Sequence, residues 1–357
     1  MDNIKDEKMT TVKVNASTSY DIIIGADILD DLGEYAKKTV GVRRACIVTD
    51  TTVDKLYAER AEKSLVKSGF DVIKFVIEQG EASKNTENLV NLLELLAENR
   101  LTRSDIVVAL GGGVVGDLAG FASAVYLRGI RFIQVPTTLL AMVDSSVGGK
   151  TAVDLRAGKN LAGAFHQPSL VLCDYKTLDT LEDSIFADGC AEVIKYGVIN
   201  DRALFDRLKK GIRENIEQVI SDCVTHKADI VAQDEFDNGM RQLLNLGHTV
   251  GHAIEQCSNL EISHGSAVAI GMTVITRMAV ALGICPASDL NELTALLTAE
   301  GLPTKCNFSA EALTAVATAD KKRDGASINL IVPYGIGDCR PMKVEVSSLC
   351  SLIEKGL

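Results

Sequence analysis

Three of the chain's five histidines, His248, His252 and His264, lie between positions 248 and 264. Imidazole is a common metal ligand and the side chain that exchanges protons most readily near neutral pH. The first two sit in LNLGHTVGHAIE, positions 244–255, whose apolar residues recur at helical spacing. A helix through this segment would line Arg241, Asn245, His248 and His252 along one stripe, at i, i+4, i+7 and i+11. Zinc peptidases share the H-x-x-x-H spacing, but their general-base Glu directly follows the first histidine, and here Thr249 stands in that place. The peptidase reading therefore fails. The metal reading that remains takes one histidine of this helix, His264 from the loop before the next, and a carboxylate from elsewhere, for which Glu192 is the best candidate. Two histidines and one carboxylate leave coordination positions open, as catalytic zinc requires, and vicinal hydroxyls of a substrate could fill them. The plainer alternative is a core or capping histidine with its bonds satisfied, a role that suits His166 and His226.

Glu192 and Lys195 stand three apart in CAEVIKYG, positions 190–197. A surface ion pair is the ordinary meaning of that spacing. Their apolar neighbours Ala191, Val193, Ile194 and Tyr196 argue instead for a mostly buried helix, where a carboxylate needs a positive partner.

A second kind of chemistry is written in VALGGGVVGDLAGF, positions 108–121, which holds G-x-G-x-x-G at Gly111, Gly113 and Gly116 after the apolar run DIVVAL. Glycines there let backbone N–H groups and a helix N-terminus approach a phosphate. The motif alone also fits a tight strand-to-helix turn, and the acid expected about 20 residues later is missing. Asp50, at the end of CIVTD, is a candidate for a ribose hydroxyl or a helix cap. The stretch from Met142 to Pro168, with its glycine turns, Asp144, Lys150, Lys159 and Asn160, reads as a binding loop too polar for a core strand, or as a solvated one.

These residues need elements to hold them. TTVKVNA, SYDIIIG, RACIVTD, FDVIKFVI, DIVVALGGG and RFIQVPTT read as strands, separated by segments with apolar residues at i, i+3, i+4. Alternation of this kind predicts a doubly wound parallel sheet, Rossmann-like, with ligands at the strands' carboxyl ends. The first two strands predict an added antiparallel hairpin. After about Leu181 the chain becomes mainly helical, with SINLIVPYG the one late strand. The expected division is an α/β domain over 1–180 and a mainly α-helical domain over 181–357, with a cleft between them as the default site.

Composition narrows the rest. The net charge of −11 opposes binding to nucleic acid or an anionic membrane, so an anionic substrate needs a local basic pocket. Nine cysteines without a C-x-x-C pair read as reduced, mostly buried thiols. The first residues lack the pattern of a signal peptide, and no uninterrupted apolar run approaches the ~20 residues of a membrane span. A cytoplasmic location is expected.

Taken in order, GGGVVGDLAGF, RGIRFIQVPTTLLAMVDSSVGGKTAV, GKNLAGAFHQP, AEVIKYG, LNLGHTVGHAIE and HGSAVAIGM make the chain resemble the dehydroquinate synthases of the sugar phosphate cyclase family, over nearly its whole length. The resemblance implies an NAD-binding α/β domain, a helical domain with one divalent metal, zinc or cobalt, and a homodimer. It implies metal ligands Glu192, His248 and His264. It places NAD against Asp50, Glu81, Lys84, Gly113, Val114, Val115, Gly116, Asp117, Thr137, Thr138, Lys150, Lys159 and the run Thr177, Leu178, Asp179, Thr180. Substrate groups would meet Arg128, Asp144, Lys150, Asn160, Lys195, Lys227, Arg241, Asn245, His252 and one of Lys321 and Lys322. The implied reaction converts 3-deoxy-D-arabino-heptulosonate 7-phosphate, an anionic sugar-acid phosphate, to 3-dehydroquinate and phosphate by transient oxidation, elimination, re-reduction and aldol closure. Ser266 stands where many relatives have Glu, and Thr52 where some have Asn; neither is a proposed ligand.

Overall fold

Strands β1 (Thr10–Val14) and β2 (Tyr20–Gly25) form the expected antiparallel hairpin, with Thr10 opposite Ile24 and Val14 opposite Tyr20. The computed structural model in which they are seen describes residues 9–318 and 327–357. Lys321 and Lys322 lie outside the described residues. Strands β3 (Arg44–Asp50), β4 (Asp71–Ile77), β5 (Ile106–Gly111), β6 (Arg131–Pro136) and β9 (Leu170–Asp174) continue the sheet in the order β1-β2-β9-β6-β5-β3-β4, parallel from β2 onward. The interior strand β5 is apolar throughout because both its faces are covered. Val108 and Leu110 join Ile47, Leu65 and Leu172 on one side, and Val107 and Ala109 join Leu92, Leu96 and Leu118 on the other.

Two strands interrupt the expected binding loop. β7 (Lys150–Leu155) and β8 (Gly158–Phe165) pair antiparallel as a separate two-stranded sheet, so the segment from Met142 to Pro168 is an ordered hairpin preceded by a short turn, Ala141–Ser145. β9 was also hidden in the sequence, although it is buried along its whole length.

The chain divides into two compact units. The first runs through Leu181 and takes in Ile220–Phe236; the second comprises Glu182–Val219 and everything from Asp237 onward. The second unit is mainly helical. Its strand β10 (Ser327–Gly335) matches SINLIVPYG and pairs with β11 (Asp338–Glu345), which the sequence reading lacked.

Two expectations about the histidine region are corrected. Arg241 and Asn245 do not share a helix with His248 and His252: a 3-10 turn, Met240–Asn245, ends before Gly247, and a new helix, His248–Cys257, begins after it. Gly247 adopts φ +78, the left-handed region that breaks the helix, and a Cβ there would stand 2.8 Å from the Val268 carbonyl oxygen. His264 is not in a loop but is the first residue of the His264–Ala281 helix, with Gly265 inside that helix. This helix is long and apolar enough to cross a membrane by composition, yet most of it is buried within the protein, so its hydrophobicity belongs to the core of the second unit.

All nine cysteines are free thiols, six of them buried.

Candidate functional site

The Asp183–Asn200 helix buries nearly everything from Gly189 to Ile199, and that burial includes Glu192, whose side chain is 0% exposed, and Lys195 at 1%. The two side chains form an ion pair through Glu192 Oε2 and Lys195 Nζ. The other carboxylate oxygen, Oε1, lies 3.5 Å from Nε2 of His248 and 3.3 Å from Nε2 of His264. The donor atoms of Glu192, His248 and His264 all fall within 4.8 Å of one another. A carboxylate and two neutral imidazoles converging on one point is the donor set of an open divalent metal site, so the residues expected as ligands fit such an ion.

Each imidazole is oriented by its other nitrogen. Nδ1 of His248 stands 3.1 Å from the carbonyl oxygen of Leu246, which makes it the donor and leaves the Nε2 lone pair toward Glu192. Nδ1 of His264 stands 3.4 Å from Oε2 of Glu255. Burial and the ammonium of Lys195 hold His248 below the ordinary histidine range, in the neutral form a ligand needs. Burial opposes charge on His264 as well, but Glu192 and Glu255 outweigh it and raise that pKa to about 10, so an ion binding at Nε2 would displace a proton from the ring. His252 lies one turn along from His248, exposed, with its ring centroid 5.3 Å from that of His248 and 6.1 Å from that of His264. Arg241 is 2% exposed, and Asn245 ends the same turn on the surface.

The helix that begins at His264 is capped by a residue of the Glu192 helix. Asp188, one turn before Glu192, accepts from Ser263 Oγ at 2.5 Å and from the Ser266 N–H at 3.0 Å. Neither Asp188 nor Glu255 was singled out from the sequence. Both were one helical step from a residue that was: Asp188 at i−4 from Glu192 and Glu255 at i+3 from His252.

In the first unit, the residues expected to contact a dinucleotide follow the carboxyl ends of successive parallel strands. Asp50 ends β3 and caps the next helix, its Oδ1 accepting from the N–H groups of Thr52 and Val53 at 2.9 Å each. Glu81 and Lys84 follow β4, Gly113 to Asp117 follow β5, Thr137 and Thr138 follow β6, and Thr177 to Thr180 follow β9. Because β3 has β4 on one side and β5 on the other, the strand order reverses there, which is the crevice where ligands sit in such sheets. Gly111 closes β5 and accepts from the N–H of Thr137 at 3.0 Å, while Gly113 opens the Gly113–Val125 helix. A Cβ on Gly116 would come within 2.7 Å of Gln134 Oε1, so this glycine lets the helix lie close on the sheet. Thr137 is 3% exposed and its hydroxyl has no hydrogen-bond partner among the described residues. Thr138 Oγ1 accepts from the Ala141 N–H, and Tyr57 OH contacts Thr177 O at 3.1 Å and Thr180 Oγ1 at 2.5 Å.

The hairpin binds into this edge. The backbone N–H of Asp154 donates to Lys84 O at 2.8 Å, and Lys84 Nζ reaches Glu81 at 2.8 Å and Asp117 at 3.3 Å. Burial pushes the Asp117 carboxyl up to about 6 against the pull of Lys84. Lys159 stands 3.9 Å from Glu81, and Asn160, at φ +56, donates its N–H to Asp154 Oδ1. Lys150 is the first residue of β7 and is exposed. Lys227 Nζ donates to the carbonyl oxygen of Asp144 at 2.6 Å and to its Oδ1 at 2.7 Å, so this cation positions the Asp144 carboxylate. Arg128 is separated from the rest. It follows the far end of the Gly113–Val125 helix, roughly 20 Å along from the glycine turn at 1.5 Å per residue.

Comparison with known proteins agrees with both halves of this description. The 3-dehydroquinate synthase N-terminal family matches residues 74–188, and the 3-dehydroquinate synthase C-terminal family matches residues 189–323. The 3-dehydroquinate synthase of Clostridium acetobutylicum is 46% identical over 334 residues, covering 92% of this chain and 94% of its own. Among solved structures, a 2-deoxy-scyllo-inosose synthase complexed with carbaglucose-6-phosphate, NAD+ and Co2+ superposes with a TM-score of 0.86 at 26% identity, covering 98% of this chain and 100% of its own. The 2-epi-5-epi-valiolone synthase of Streptomyces hygroscopicus, with NAD+ and Zn2+ bound, gives 0.86 at 27% identity over 97% of this chain and 98% of its own. With identity above 40% across almost the full length and both family halves matched in order, the chain belongs to the 3-dehydroquinate synthase family.

Proposed function

We propose that this chain is the lyase that converts 3-deoxy-D-arabino-heptulosonate 7-phosphate to 3-dehydroquinate and phosphate, a step of the shikimate pathway. The observation that carries the reading is the convergence of His248 and His264 on the buried Glu192 carboxylate in a member of this family. NAD belongs to the α/β domain, and one divalent ion, Zn2+ or Co2+, belongs to the helical domain on those three residues. Bound NAD supplies a reversible two-electron oxidation and the ion a Lewis acid.

The chain's own residues do the rest. His252, exposed beside His248, takes the proton of the substrate hydroxyl that is oxidised and returns it on re-reduction. Arg241 pairs with the substrate carboxylate in the two-point geometry a guanidinium offers, and Asn245 on the same turn holds a hydroxyl. Lys195 gives the buried Glu192 carboxylate the positive partner it needs. In the first unit, Asp144, fixed by Lys227, and Lys150 and Asn160 offer polar groups to an anionic sugar acid; the resemblance adds one of Lys321 and Lys322, which lie outside the described residues. The departing phosphate serves as the base for its own elimination. The resemblance adds Arg128 to the substrate contacts, and a homodimer belongs to the same reading. The negative net charge argues against a nucleic-acid or anionic-membrane partner, and the reading places the enzyme in the cytoplasm.

The experiment that tests the reading incubates purified protein with NAD, Zn2+ or Co2+, and separately with 3-deoxy-D-arabino-heptulosonate 7-phosphate, sedoheptulose 7-phosphate and glucose 6-phosphate. Phosphate release and 3-dehydroquinate formation are expected with the first alone, without NADH accumulating. Turnover confined to either of the others would assign the chain to a different cyclase.

Two variants probe the assignments. His252→Ala is expected to retain the ion in full while kcat falls by about 10²–10⁴-fold, the usual range for loss of a proton-transfer group; loss of the ion would make His252 a ligand instead. Thr137→Val removes a buried hydroxyl that has no partner among the described residues, so unfolding stability should change by less than about 1 kcal/mol. The same variant should bind NAD more weakly in a calorimetric titration, and unchanged NAD affinity would remove Thr137 from the contact set.

A further inference from the structure

We infer that Glu255 is a positioning residue of the metal centre: its carboxylate sets the ring of His264 so that Nε2 is the nitrogen offered alongside Glu192 and His248. The inference rests on the reading of those three residues as the ligands. Glu255 lies on the His248–Cys257 helix and is 4% exposed. Its Oε2 is 3.4 Å from Nδ1 of His264, while Nε2 of the same ring is 3.3 Å from Glu192 Oε1. One imidazole is therefore held between two carboxylates, one at each nitrogen. With Glu255 accepting from Nδ1–H, the lone pair remains on Nε2, on the ligand side. A carboxylate behind a ligating histidine also makes the ring a better donor.

His248 shows the same arrangement with a different acceptor, since its Nδ1 meets the Leu246 carbonyl oxygen at 3.1 Å. The difference follows from the backbone. His248 begins its helix directly after the Gly247 break, where a carbonyl two residues back points at the ring. His264 begins a separate helix, and the group that meets its Nδ1 comes from the helix of His248. Glu255 thus ties the second histidine ligand to the element that carries the first, so that the two rings keep their relative orientation.

A rival role exists for the same side chain, because His252, Glu255 and His264 also offer donor atoms within 4.8 Å of one another. The test separates the two. Zn2+ affinity is measured on the full chain by competition with a chromophoric chelator, for the native sequence and for E192Q, H252A, E255Q and E255A, together with the visible spectrum of each Co2+-loaded protein and the melting temperature of each metal-free one. Loss of a supporting carboxylate should weaken Zn2+ binding by E255A about 10–100-fold. E255Q keeps an acceptor oxygen without its charge and should fall between E255A and the native chain, with a shifted Co2+ spectrum at saturation. H252A should bind as the native chain does, and E192Q should lose the ion. Where E255A lowers the metal-free melting temperature, E255Q is the deciding variant. Native affinity and an unchanged Co2+ spectrum in E255Q would overturn the inference while leaving the ligand assignment intact. Retention of the ion by E192Q with its loss from both H252A and E255A would place it on the rival set, and the ligand assignment would fall with the inference.

Discussion

Replacing Glu192 by Gln is expected to abolish turnover and to strip the chain of its divalent ion. The amide keeps the size of the carboxylate but neither its charge nor its second equivalent oxygen, so the point where His248 and His264 converge loses its anion. A bound Lewis acid contributes several kcal/mol of transition-state stabilisation, which makes its loss worth at least about a thousandfold in rate. A second consequence has nothing to do with catalysis. Lys195 is 1% exposed and paired with Glu192, and removing one partner of a buried ion pair costs about 3–5 kcal/mol. The metal-free variant should accordingly unfold at lower denaturant than the metal-free native chain. His264→Ala should also lose the ion and the activity, but it leaves the Glu192–Lys195 pair in place, and its metal-free stability should fall less. Phosphate release, metal content after gel filtration and denaturant midpoints check the three parts. Full metal content in both variants would refute the ligand set.

How much of this was legible before any coordinates depended on whether the signal was local. Strands β3, β5 and β6 announce themselves because both faces are buried and a short run of apolar residues fills each, as in ACIV and IVVAL. The β7–β8 hairpin does not, since Lys150, Asp154, Lys159 and Asn160 interrupt any apolar alternation, and its second strand lies largely half-buried or exposed. β11 carries Arg340, Pro341 and Lys343 and pairs on one side only, with β10; proline is tolerated there because a strand edge needs no donor. Residue types and spacing marked out Glu192, His264 and one of His248 and His252 as metal-ligand candidates, since an imidazole or carboxylate is recognisable wherever it stands, and only the resemblance chose His248. The break at Gly247 was not, because apolar periodicity continues through it while the backbone turns left-handed. Glu255 was missed for a related reason. A glutamate at the end of an amphipathic stripe looks like a solvated one, and its meaning comes from His264, on another helix.

That dependence on a neighbouring helix can be tested without touching a ligand, and Gly271→Ala is expected to do it. The His248–Cys257 and His264–Ala281 helices approach so closely that a Cβ on Gly271 would lie 2.1 Å from the Gly247 carbonyl oxygen and 3.0 Å from the Gly251 N. Both obstacles are backbone atoms, so no side-chain rotation relieves them, and the helices must move apart. Overpacking of this kind costs about 1–3 kcal/mol, occasionally more. The larger effect should be functional, because those helices carry the two histidines proposed as ligands, whose ring centroids stand 5.4 Å apart. A shift of even 1 Å between catalytic groups can cost on the order of a hundredfold in rate. The variant should therefore lose far more in Zn2+ affinity and turnover than its change in melting temperature would suggest. Proportionate losses in all three would mean that residue 271 serves packing alone and that the metal centre tolerates separation of its two helices. A protein that keeps native affinity and rate would show that these helices can separate without disturbing His248 and His264, and the close glycine contact would then have no part in aligning the ligands.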